Sequence, residues 1–154
     1  MTGLTIAEES PLGADLGLLH QRHTQRMHED TPPESIHMMD AGALAAPGIR
    51  FFVMRDRGQP VGMGAFKRLT GNHAEVKSMH VLTEMRGRGL AMVLLDHLVA
   101  AARAEGITRL SLETGAQASF ADARAFYEKA GFGYCPPFEG YGPDPMSAFM
   151  TKVI

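Results

Sequence analysis

The chain has a single cysteine, Cys135, and no tryptophan among its 154 residues. One thiol cannot close an internal disulfide, so the fold must rest on apolar packing rather than covalent staples. No run of roughly 18 or more apolar residues is present, which argues against a membrane-spanning helix and predicts no membrane partner. The opening MTGLTIAEESPLGADL alternates and then turns acidic. It lacks the basic start and continuous apolar segment of a secretory leader, so a cytoplasmic location is expected. An excess of either charge is missing too, with 15 basic against 17 acidic side chains. That balance gives no blanket attraction for nucleic acid and disfavours a strongly anionic substrate. Any anion binding must be local.

What is present suits one globular domain over residues 1–154, with 45% hydrophobic residues to build a core. Eleven methionines add flexible thioethers that fill irregular cores or pliable pockets. Gly3 to Glu8 reads as an edge strand. Ser10-Pro11 reads as an N-cap and first helical residue, with Leu12, Leu16, Leu19 and His23 at helical spacing up to about Met27. Thr31-Pro32-Pro33-Glu34 has the form of a capping box, predicting a short second helix carrying Ile36, Met38 and Met39. IRFFVMRD and VGMGAFKRL flank a turn at Arg57-Gly58-Gln59-Pro60, and Thr70 to His73 turns into a third strand, Ala74 to Val81. Leu90, Leu94, Leu98 and Ala102, broadened by Val93, Ala101 and Ile107, mark a central helix that stops at Gly106. Thr108 to Thr114 is a further strand. Ser119 with Asp122 opens a helix ending at Gly131, and Phe132 to Tyr134 and Ser147 to Ile154 close the chain as strands. The expected order is β α α β β β α β α β β.

The central helix is preceded by RGRGLA. A helix N-terminus presents unpaired backbone N–H groups and partial positive charge, so a glycine loop feeding one is a ready anion site. It is not a P-loop, since no G-x-x-x-x-G-K-[ST] occurs. Nor does it match the dinucleotide fingerprint, because Gly87-Arg88-Gly89 is followed by Leu90, Ala91 and Met92 without a third small residue in place. The pattern it does carry is R-x-x-G-x-A, in Arg86, Gly89 and Ala91, a few residues beyond a strand ending Met79-His80-Val81. With the three-strand meander, the LSLET strand and ARAFYEKAGF, this resembles the GNAT family of N-acetyltransferases over most of the chain. The C-terminal C-PPF-GY-x-DP-x-S-x-FM further resembles a group of small bacterial acetyltransferases whose acceptor is undefined.

The resemblance implies an α/β GNAT fold, a mixed, mostly antiparallel sheet of about seven strands flanked by four helices, and acetyl-CoA as donor. Backbone N–H groups from Gly87 to Met92 would hold the pyrophosphate, with Arg86 and Arg88 adding charge. Met79, His80 and Val81 would pair with the pantetheine arm like a strand. Tyr127 matches the family's general acid. Two glutamates compete for the base. Glu75 lies eleven residues before Arg86, as in the histone-acetylating branch, and Glu113 matches the ribosomal-protein branch; Glu75 is slightly preferred, and a water relay is the third option. Many members contact CoA through an asparagine where this chain has Phe120. GAQAS is about two residues longer than usual, and Ser119 or Gln117 is the candidate substitute, unless Ser119 is only an N-cap.

The acceptor is expected to be a primary amine on a small molecule or peptide. The family's acceptor walls point to Met27, His28, His37, Met38, Phe138 and Tyr141 for it. Seven histidines occur without HExxH or a Cys–His cluster, so no metal is expected. Two other readings stay open at this level: an acetyl-CoA-binding sensory or structural protein without transfer, and a phosphate-binding module for another nucleotide. A homodimer is the default assembly by base rate.

Overall fold

The computed structural model describes residues 3–29, 31–36 and 39–154. Within them the strands are β1 Leu4–Glu8, β2 Ile49–Asp56, β3 Gln59–Arg68, β4 His73–Val81, β5 Arg109–Gly115, β6 Gly133–Tyr134 and β7 Ser147–Val153. The α-helices are α1 Gly17–Glu29, α2 Ala41–Leu44, α3 Leu90–Ala104 and α4 Ala121–Lys129. The element order is the one expected from the sequence. The strands form one sheet in the order β1-β2-β3-β4-β5-β7-β6, antiparallel throughout except for the β4–β5 pair.

Strand alternation divides the core into two layers. On β2, Phe52 joins Phe66, Leu95, Leu98, Tyr127 and Phe132 on the face covered by α3 and α4. Its neighbours Phe51 and Val53 point the other way, to Leu16, Leu19 and Leu44 of the α1–α2 side. The α3 stripe is Leu90, Leu94, Leu95, Leu98, Val99 and Ala102. Each fully buried leucine contributes about 2 kcal/mol of transfer free energy. Val93, expected to broaden the stripe, is 38% exposed because the buried face extends instead toward Leu95 and Val99.

The β2–β3 turn has Arg57 and Gly58 both in the left-handed region (φ 52° and 84°), which matches the twist of the strands it joins. Two helix starts in the first half of the chain differ from expectation. Ser10 caps only an isolated turn, its hydroxyl accepting from Leu12 N–H, and α1 is regular from Gly17. Thr31 to Glu34 yields a 3-10 turn at Pro33–Ser35 without a side-chain cap, and Ile36 is extended. Thr31 Oγ1 accepts from Gln117 Nε2 at 2.8 Å instead. The second helix lies further on, at Ala41–Leu44, where Asp40 Oδ1 takes the Ala43 N–H at 2.7 Å.

Candidate active site

The site originates in a parallel pair that stops early. β4 and β5 register only at His73–Arg109, Ala74–Leu110 and Glu75–Ser111. Beyond Glu75, β4 bulges against β3: Met63 opposes His80 and Ala65 opposes Lys77, leaving one extra residue on β4. Ser78 lies in that interval with φ +57°. A bulge bends its strand and increases local twist, which turns the end of β4 away from β5. Between them opens a cavity of about 480 Å³.

One end of the cavity is the mouth of α3. Arg86, Gly87, Gly89, Leu90, Ala91 and Met92 line it, as do Met79, His80 and Val81 from β4. Gly89 is the N-cap of α3; no side chain caps the helix and no acidic residue occupies its first turn. The helix therefore offers uncompensated N–H groups to the cavity. Gly87 (φ +80°) and Gly89 (φ +73°) have open space where a Cβ would stand, so the backbone conformation requires glycine, not local crowding. Arg88 is off the cavity wall, with Nη1 3.6 Å from Met85 Sδ.

The other walls bring both candidate bases and the candidate acid into the same space. Glu75 is buried at 5% exposure. Its Oε2 accepts from the Tyr141 hydroxyl at 2.6 Å and from Lys77 Nζ at 3.3 Å, while Lys77 Nζ also donates to the Tyr141 oxygen at 3.1 Å. Burial pushes the Glu113 carboxyl up to about 7. The Ser147 hydroxyl and the Lys77 charge pull the other way, and Glu75 and Asp144 reinforce the rise. Tyr127 packs edge-on between Phe126 and Phe132, and burial raises its phenol well above the ordinary tyrosine range. Burial followed by the Glu75 hydrogen bond does the same to Tyr141.

Phe120, at the asparagine position, lines the cavity under Arg26, whose Cζ lies 4.4 Å from the ring centroid. Arg26 Nη2 also donates to the Ser119 carbonyl. Ser119 does not cap α4: Phe120 is the N-cap without a side-chain bond, and Ser119 Oγ is buried with no hydrogen-bond partner among the described residues. Of the candidate acceptor contacts, Met27 and Tyr141 line the cavity. His28 is exposed and off its wall, and Phe138 backs Tyr141 with ring centroids 5.2 Å apart. His37 and Met38 lie outside the described residues. His23, Arg26 and Lys77 are wall residues that sequence reasoning missed. The available signal was their spacing: Lys77 follows Glu75 on the same strand face, and His23 and Arg26 are three apart on one helix face. Among the described residues no group of three or more His, Cys, Asp or Glu is placed to hold a metal, and no helix is long and apolar enough to cross a membrane.

A sheet that splays at its one parallel pair, with a glycine-led helix at the mouth, is the architecture of an acetyltransferase. The chain belongs to the acetyltransferase (GNAT) family, whose model matches residues 17–132. It is 42% identical over 155 residues to the IAA acetyltransferase of Azospirillum brasilense, covering 100% of both chains. It is also 42% identical over 142 residues to the uncharacterized N-acetyltransferase YsnE of Bacillus subtilis (strain 168), covering 92% of this chain and 94% of the relative. In fold it is similar to the PaiA N-acetyltransferase of Thermoplasma acidophilum, solved in complex with coenzyme A. That match has a TM-score of 0.73 at 16% identity over 98% of this chain and 99% of the other.

Proposed function

We propose that this chain transfers the acetyl group of acetyl-CoA to a primary amine of a small molecule or peptide, by direct attack with both substrates bound. The observation that carries the reading is the shared cavity: the uncapped mouth of α3, the free end of β4, Glu113 and Tyr127 all line it. The open cradle over Gly87 and Gly89 suits a pyrophosphate, held by the backbone N–H groups of Leu90, Ala91 and Met92 with Arg86 nearby. The coenzyme A complex of the PaiA neighbour supports that use of the fold. When bound, acetyl-CoA supplies an acetyl group activated as a thioester.

Proton handling falls to this chain's own side chains. An ammonium must lose a proton before its nitrogen can attack, and the departing thiolate should gain one. Glu113 is the better base of the two glutamates. A carboxyl near 7 is about half ionised at neutral pH and strong enough to take that proton, whereas Glu75 already receives two donors on one oxygen. Glu75 then anchors Tyr141 and Lys77 through its Oε2. Tyr127, kept protonated by burial, is the donor to the leaving sulfur.

The test is release of free CoA from acetyl-CoA in a screen of amines, alongside thermal shift with acetyl-CoA, CoA and ATP. Stabilisation by both CoA forms and amine-dependent thiol release are expected. Stabilisation by ATP alone would remove the reading.

A further inference from the structure

The α1 side of the cavity carries polar groups that the proton transfers leave unused. His23 from α1 and His80 from β4 meet edge to face with centroids 5.5 Å apart, and both line the cavity. His23 is only 7% exposed, yet among the described residues its Nδ1 has no hydrogen-bond partner, and neither does His80 Nε2. Buried polar atoms are normally paired, so two orphans on one cavity wall mark where a ligand group belongs. Burial is the main reason both rings are neutral, His23 down to about 3 and His80 down to about 4. At His80 the charges of Arg86, Arg22 and Arg26 add to it.

Those three arginines are not equivalent. Arg22 is committed to Glu84 at 2.7 Å, and Arg86 sits on the glycine loop. Arg26 projects from α1 into the cavity wall, and its contacts among the described residues are the Ser119 carbonyl and the face of Phe120. A guanidinium has more N–H donors than one carbonyl uses, arranged in a planar fork that fits a carboxylate. The groups acting on Glu113 differ in sign: Glu75 and Asp144 are acidic there, opposed by Lys77. The cavity is thus basic at Arg26 and of mixed charge beside Glu113.

We infer that Arg26 selects acceptors that carry a carboxylate as well as the reacting amine, as a free amino acid does, with His23 and His80 completing the hydrogen bonds. The inference rests on the amine-transfer reading above. Among the described residues Arg26 has no carboxylate partner, and its planar fork beside two neutral rings matches the two-oxygen end of a carboxylate.

The experiment compares acetylation of free amino acids with that of their carboxamides, in matched pairs, by CoA release. The acids should be preferred by about tenfold or more in kcat/KM. Arg26→Gln should erase that preference by raising KM for the acids without changing KM for acetyl-CoA, and Arg26→Lys, which keeps the charge, should retain part of it. Equal use of acids and carboxamides by the unaltered protein overturns the role of Arg26 and leaves amine transfer standing. So does an acid preference that survives Arg26→Gln. Failure of both series while other amines in the screen release CoA overturns this inference and leaves amine transfer standing, and failure of every amine while acetyl-CoA binds overturns both.

Discussion

The Tyr141 hydroxyl donates to Glu75 Oε2 at 2.6 Å, and the same carboxylate oxygen takes the Lys77 ammonium at 3.3 Å. Glu75 is thereby held in place, and burial pushes Glu113 up to about 7. Turnover should rise with pH through about 7 as Glu113 ionises. Glu113→Gln should lose that limb and most of the rate. Glu75→Gln should slow the reaction but keep a limb, moved to lower pH because a neighbouring negative charge has gone. The pair of pH profiles checks this; a limb that vanishes only in Glu75→Gln would reverse the assignment.

The same carboxyl affects stability. Its folded value lies above the ordinary 4.5, so its contribution is fully present below about 4.5 and is lost as pH rises through about 7. The ionised group then costs about 3 kcal/mol relative to a neutral one. Glu113→Gln should therefore match the parent near pH 4 and melt progressively higher than it as pH is raised to about 8, in thermal scans of the ligand-free protein.

Tyr127, the proposed proton donor, also carries a structural ring. The ring packs against Phe126 and Phe132 in the core, and phenylalanine preserves those contacts. Tyr127→Phe should melt close to the parent and bind acetyl-CoA within a few-fold, with kcat reduced by about a hundredfold or more. An unchanged kcat would show that the leaving sulfur takes its proton elsewhere.

Arg86 and Arg88 make a controlled comparison on one loop. Arg86 lines the cavity, and Arg88 lies against Met85 off its wall. Arg86→Ala should weaken CoA binding by about tenfold, measured by calorimetry, while Arg88→Ala should leave it unchanged.

Gly89 tests the backbone. With φ +73° and open space around a Cβ, Gly89→Ala should cost about 1 kcal/mol from the left-handed conformation alone. Its larger effect should fall on CoA affinity, because the first N–H groups of α3 would be reoriented. Denaturant melts and calorimetry together separate the two.

Local patterns made most of this fold readable. The leucine repeat of α3, the Arg57-Gly58 turn and the glycines at both ends of the helix each act over a few residues, and each appears where it was expected. Ser10 caps only an isolated turn, and the helix starts expected at Thr31 and Ser119 failed for a common reason. A hydroxyl caps a helix only when the chain around it is free to wind, and here Thr31 bonds to Gln117 while Arg26 and Phe120 occupy the surroundings of Ser119. Ser78 gave no sign of its left-handed backbone, because the bulge is imposed by pairing with β3 and not by a glycine. Arg26 and His23 were hidden because their importance comes from residues 57 to 93 positions away, on β4 and the segment before α4.

The brevity of the β4–β5 pair has a consequence for how the molecule behaves without ligand. Past Glu75 and Ser111 the sheet has two inner edges facing each other across a gap, so its middle is unfinished while its margins are complete. An extended arm lying in the gap would act as a missing strand supplied from outside. If CoA fills that gap, amide exchange in residues 76–81 should slow sharply once it is added, far more than in the outer strands.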